Sequence, residues 1–150
     1  VSNLFPEETT WSAADPAGTT SPEVSFGRSW RFDYEAGDFV MTPTRKVATA
    51  DDKTAWVEWC KKALLTPRYR HVVYSRDHGQ EFDDLIGRGY SKAVQESEIQ
   101  RIVTETLMVD PRTENVSNFS FAWDGDTCQF ACDITNVREE TETIEGRTDA

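Results

Sequence analysis

Two prolines, Pro67 and Pro111, decide most of what this chain can fold into. Each closes a stretch whose apolar residues recur at helical spacing. The residue before a proline is pushed out of the α region, and proline itself has no N–H to give. Before Pro67, residues Ala55, Trp56, Trp59, Cys60, Ala63 and Leu64 fall on one stripe of a 3.6-residue period. Asp51 or Asp52 is placed to cap the start, and Lys61 and Lys62 lie near the end, where the helix dipole favours cations. Before Pro111, residues Val94, Ile99, Ile102, Val103 and Leu107 form a second stripe over a helix expected from Ser91, its cap, to Met108. Between the two, Phe82, Leu85 and Ile86 predict a short helix closed by Gly87 and Gly89. Tyr69, Val72, Val73 and Tyr74 form a short apolar segment of their own.

Outside this helical centre the period changes to two. Trp30, Phe32 and Tyr34 alternate with charged residues, Glu35–Asp38 supplies a turn, and Phe39 and Met41 resume the alternation until Pro43. Phe119, Phe121 and Trp123 lead through Asp124-Gly125-Asp126, a hairpin signal, to Cys128, Phe130, Cys132 and Ile134. The order is hairpin, helix, short helix, helix, hairpin. Such segregation predicts an α+β fold, with two long helices and a short helix packed on a small antiparallel or mixed sheet. Residues 1–27, with Pro6, Pro16 and Pro22 but also Leu4, Phe5 and Trp11, are expected to be an extended arm whose aromatics dock on a surface. Residues 28–137 form the folded domain. Residues 138–150, rich in Glu and Thr, are expected to be a tail that cannot bury itself, with Thr141, Thr143 and Ile144 able to add to another sheet's edge.

With 150 residues the chain fits one domain and can fold without disulfide or metal. Three cysteines, none in a Cys-x-x-Cys pair, read as reduced and buried. The N-terminus carries no signal-peptide pattern, so synthesis in the cytosol is expected. No apolar run is long enough to cross a bilayer, and no membrane partner is expected. The net charge of −11 argues against direct contact with nucleic acid. That charge is uneven. Residues 45–76 hold eight of the sixteen basic residues and three of the 27 acidic ones, a local excess of +5. Lys61, Lys62, Arg68 and Arg70 belong to this window. It reads equally as a basic face for a partner or as a solvated helix side.

A search for chemistry returns little. His71 and His78 have no metal-ligand spacing, so neither metal nor cofactor is expected. Glu81, Asp83 and Asp84 could be drawn as a glycosidase pair, but acids are so frequent here that the cluster has little meaning, and no catalytic residue is assigned. Asp110-Pro111-Arg112 is mechanically distinctive, since Pro111 would hold an acid and an arginine at a rigid corner. An ordinary helix stop with a surface arginine explains it as well.

At this point a resemblance enters. Phe32–Val40, Trp59–Arg70, Tyr74–Gly79, Asp84–Gly89 and Glu98–Arg112 resemble, in order and spacing, the XkdS-like tail proteins of phages and prophages of Gram-positive hosts. Those are similar to the lysozyme-like baseplate wedge group, the sheath initiators of contractile tails. The resemblance implies a structural baseplate subunit in a phage tail or tail-like particle. It would stand in six copies around the tail axis and join wedge proteins to the first sheath ring, beside tube and hub proteins. It also implies that Asp110, Pro111 and Arg112 grip the wedge, with Asp where the group usually has Glu. On that view Arg112→Ala spares the fold and weakens wedge binding, and removing residues 138–150 leaves a folded domain that cannot start a sheath. The "lysozyme-like" label transfers no activity. The alternatives are a small acidic adapter or inhibitor and, further off, a cell-wall glycosidase.

Overall fold

A computed structural model describes residues 23–85 and 88–149. Strand β1 (Arg28–Trp30) pairs antiparallel with β4 (Thr49–Asp51), and β2 (Phe32–Asp33) with β3 (Asp38–Phe39). Together they make a bent ribbon, sewn up by Arg31 N–H to the Ala48 carbonyl at 2.9 Å and Ala48 N–H to the Val40 carbonyl at 2.8 Å. Helix α1 (Asp52–Leu65) follows directly. A loop and a single 3-10 turn (Phe82–Leu85) lead to α2 (Lys92–Met108). The chain ends in a meander of β5 (Thr113–Asp124), β6 (Thr127–Asn136) and β7 (Thr141–Asp149), in the order β5-β6-β7.

The core lies between the helices and one face of that meander. Trp56, Cys60 and Leu64 of α1 and Ile99, Ile102, Val103 and Leu107 of α2 meet the alternating Cys128, Phe130, Cys132 and Ile134 of β6. Helix α2 packs toward β5 and α1 toward β7. The ribbon is tied to α1 by the Tyr34 hydroxyl, which donates to the buried Glu58 carboxylate at 2.7 Å. Burial, and then that carboxylate, push the Tyr34 phenol above its ordinary pKa.

Several expectations are overturned. Among the described residues there are two helices rather than three, because the expected short helix closes as one 3-10 turn. Strands fall into three sheets, not one. The architecture is therefore two helices on a three-stranded meander with a separate ribbon. The N-terminal hairpin is more elaborate than expected, since β1 pairs with Thr49–Asp51, a stretch with no apolar alternation to announce it. Val94 is exposed rather than part of the α2 stripe. The caps also differ. Asp51 precedes α1 but its carboxylate accepts from Arg28 Nε at 2.7 Å, and Ser91 makes no side-chain cap to α2.

The largest correction concerns the tail. Residues 141–149 are the third strand of the meander, in register with β6 from Thr135↔Thr141 to Thr127↔Asp149. Its inward positions oppose the buried side of β6: Glu142 faces Ile134, Ile144 faces Cys132, Gly146 faces Phe130 and Thr148 faces Cys128. Ile144 is 1% exposed. Glu142 turns aside to pair with Lys53 at 2.9 Å. One isoleucine and one glycine suffice, because the neighbouring strand supplies the bulk. The docking of Leu4, Phe5 and Trp11 concerns residues outside the described ones, as do Ile86 and Gly87 of the short-helix reading.

Candidate functional site

The chain turns from α2 into β5 at Asp110-Pro111-Arg112. Proline ends the helix, and the main chain closes the turn with Asp110 N–H to the Leu107 carbonyl at 3.3 Å and Thr113 N–H to the Asp110 carbonyl at 2.9 Å. The Asp110 carboxylate, 5% exposed as a residue, accepts from the Arg112 amide at 2.9 Å. It also accepts from Arg112 Nε, at 2.9 and 3.0 Å to its two oxygens, and from Nη2. Nη1 of Arg112 donates to the Phe26 carbonyl at 2.7 Å, bringing the segment before β1 against the corner. The guanidinium lies 6.0 Å from the Trp59 ring centre. The Trp56 indole N–H donates to Thr113 Oγ1 at 2.9 Å just beyond.

A carboxylate taken out of water needs its charge and lone pairs satisfied, and a planar guanidinium does this with a fork of donors. Arg112 therefore serves its own chain first. Of its five N–H bonds, one on each terminal nitrogen is without a partner among the described residues. Arg112→Ala would therefore remove bonds within this chain as well as any contact outside it. What the corner shows to the outside is chiefly apolar. Pro111 is exposed, as are Met108 and Val109 before it and Val137, whose amide donates to the Arg112 carbonyl at 2.9 Å.

The four basic residues are divided among different tasks. Lys61 Nζ lies 5.7 Å from the Tyr34 ring centre, and Lys62 Nζ donates to Ser29 Oγ at 3.4 Å, so both lean on the N-terminal ribbon. Arg68 pairs with Glu81 at 2.9 Å and donates through Nε to the Gly79 carbonyl at 3.0 Å. Arg70 is exposed. The glycosidase drawing loses its acid in the same way, since Glu81 is held by Arg68 while Asp83 and Asp84 point to solvent.

Of the tail residues, Thr141 and Thr143 are exposed and Ile144 is core. Thr143 Oγ1 donates to Asp133 at 2.6 Å, and Asn118 Nδ2 donates to the same carboxylate at 2.9 Å. These bonds, Thr143's first, hold the Asp133 carboxyl below its usual pKa. Strand β7 is the edge of the meander. Beside it runs an open groove of about 620 Å³, lined by Leu64, Leu65, Phe82 and Phe130, by Tyr34 and Lys61, and by Thr143–Arg147 of the strand itself. The sequence carries no signal for this groove, because its walls come from five separated segments.

The cysteines are set for packing, not reactivity. Burial, and then the Asp110 carboxylate, push Cys60 up to about 12, and burial does the same for Cys132. A nucleophilic thiol needs a shift in the opposite direction. Among the described residues no His, Cys, Asp and Glu side chains are grouped as metal ligands, and no helix is long and apolar enough to cross a membrane.

The model of the contractile injection system sheath initiator family matches residues 28–140, which includes the ribbon, both helices and the corner. The chain belongs to that family. Over 107 residues it is 34% identical to the phage-like element PBSX protein XkdS of Bacillus subtilis (strain 168), covering 71% of this chain and 72% of that one. Its fold is similar to a chain of the anti-feeding prophage baseplate, solved as a six-fold symmetrised assembly, with a TM-score of 0.51 over 83% of this chain and 86% of that one. At 13% identity that likeness speaks for the fold alone. By its family the chain is thus a sheath initiator of a contractile injection system.

Proposed function

We propose that this sheath initiator joins the wedge proteins of the baseplate to the first ring of sheath by receiving a sheath strand on the outer edge of β7, which has no strand partner among the described residues. The observation that carries the reading is the pairing of a strand edge with a groove that sets Leu64, Leu65, Phe82 and Phe130 among charged residues such as Arg31, Glu35 and Lys61. Main-chain groups along such an edge give affinity with little demand on sequence, and a groove beside it selects the side chains that enter. Ile144 contributes by fixing β7 to the core, and Thr141 and Thr143 by standing on its exposed face. The tail is then a receiver of strands, not the loose donor expected from its composition.

The wedge lies at the other contact, the corner of Asp110, Pro111 and Arg112. The Asp110–Arg112 pair holds the turn rigid, while Pro111, Val109 and Val137 supply the apolar surface. The N–H bonds of Arg112 that have no partner among the described residues can meet a partner's carbonyl or carboxylate. Lys61, Lys62 and Arg70 add positive charge to a subunit of net charge −11. Six copies stand around the tail axis near tube and hub proteins, the subunit is made in the host cytoplasm, and the role needs no catalysis.

Hydrogen exchange on particles tests the strand reading. Backbone amides of 141–149 should exchange at least tenfold more slowly in sheathed particles than in baseplates without sheath. Equal exchange in the two would remove β7 as the sheath contact.

A further inference from the structure

Between α1 and the 3-10 turn the chain projects a loop whose tip is apolar and almost bare. Tyr69 is 70% exposed, Val72 103% and Val73 86%. Scattered surface hydrophobics need no explanation, but a run of them on a projecting tip does. The loop is not slack. Its neck is a parallel bridge between Pro67 and Gln80, with Gln80 N–H to the Thr66 carbonyl at 2.9 Å and Arg68 N–H to the Gln80 carbonyl at 2.7 Å. Arg68 adds its bonds to Gly79 and Glu81, and Thr106 of α2 donates to the Gly79 carbonyl at 3.3 Å. Gly79 has φ +100°, and a Cβ there would stand 2.5 Å from the Thr66 carbonyl oxygen.

Inside the loop a rail of rings runs back to the wedge corner. His71 meets Tyr74 at 6.2 Å, Tyr74 meets His78 at 4.5 Å, and His78 meets Trp59 at 5.6 Å. Trp59 in turn faces the Arg112 guanidinium. The tip is flanked by Arg70 and Arg76, both exposed. An exposed apolar tip, held in shape before any partner arrives, avoids the ordering cost that weakens loop-mediated binding.

We propose that Tyr69–Tyr74 is a docking finger that seats Val72 and Val73 in an apolar pocket rimmed by carboxylates on a different subunit of the same particle. The valines define the pocket, and the flanking arginines define its rim. The ring rail joins this contact to the corner, so the two form one surface. Lipid phosphate could also face the arginines, but a chain of net charge −11 is repelled by an anionic membrane. The inference rests on the baseplate reading for where the partner is found.

The test uses the full chain carrying a photo-reactive benzophenone side chain at position 72, assembled into particles in cells, irradiated and mapped by mass spectrometry. Its melting temperature should match wild type, because Val72 buries nothing in this chain. The expected product is a crosslink to a different subunit, within an apolar segment flanked by Asp or Glu. Its yield should fall at least tenfold in the Arg70→Glu/Arg76→Glu variant. With the subunit present in the particle, three results overturn the finger while leaving the baseplate reading intact: no crosslink, a crosslink only to a second copy of this chain, or a yield indifferent to charge reversal. Absence of the subunit from particles overturns both. Pelleting of the wild-type chain with phosphatidylglycerol vesicles, without a protein crosslink, assigns the tip to lipid and also overturns the proposal.

Discussion

Arg112 illustrates how one motif can serve its own chain and still be offered to a partner. Sequence puts an acid and an arginine either side of a proline but does not say which way they face. Residues two apart around a proline turn can meet each other as readily as a partner, and here the Arg112 fork closes on Asp110 and the Phe26 carbonyl. Removing one member of a buried pair leaves the other uncompensated, which typically costs about 3–5 kcal/mol. Arg112 retains 14% side-chain exposure, so the lower end applies. Arg112→Ala should therefore lower unfolding stability by roughly 3 kcal/mol, read from the urea midpoint. Arg112→Lys should recover only part of this, since an ammonium restores charge but not the fork. An unchanged midpoint in Arg112→Ala would show that Asp110 finds other partners, and would return the arginine to a purely external role.

At the level of elements, legibility followed how each one gets its stability. Helices α1 and α2 and the β5–β6 hairpin carry their own apolar period, so their positions could be read from the residues alone. Strand β7 does not. Its inward set of Glu142, Ile144, Gly146 and Thr148 has one hydrophobe, and the strand is stable only because β6 presents Cys128, Phe130, Cys132 and Ile134 opposite. The groove beside β7 was illegible for the same reason, being assembled from segments far apart in sequence. Gly146 is the point where this borrowing can be tested. A Cβ there would overlap the Phe130 ring, so Gly146→Ala forces the ring or the strand to move. Overpacking of this kind costs typically 1–3 kcal/mol. Gly146→Ala should lower stability by about that amount and speed amide exchange along β7 more than along β5. A variant as stable as wild type, with exchange unchanged, would mean that Phe130 has room to rotate and that β7 is held by its hydrogen bonds alone.

For the whole molecule the decisive property is the division of charge, a basic stretch from Arg45 to Arg76 set into a chain of net −11. The sequence already displayed this imbalance, but not its shape. Lys61 and Lys62 lean on the ribbon, Arg68 is neutralised by Glu81, and the exposed positive charge of the stretch is divided between Arg45 and Lys46 near the ribbon and Arg70 and Arg76 on the loop. Charge arranged this way steers encounter more than it strengthens the final contact. Salt should separate the two effects, because the screening length falls from roughly 14 Å near 0.05 M to about 4 Å near 0.5 M, shorter than the reach of an encounter but not of a closed contact. Association of the subunit with sheath-free baseplates should slow by about tenfold across that range, while dissociation changes less than about twofold. Stopped-flow or surface-capture kinetics on wild type and on Arg70→Glu/Arg76→Glu would measure it, and the double variant should lose most of the salt dependence. If wild-type association were indifferent to salt while the complex still formed, the apolar surfaces at the corner and the loop tip would have to guide docking by themselves.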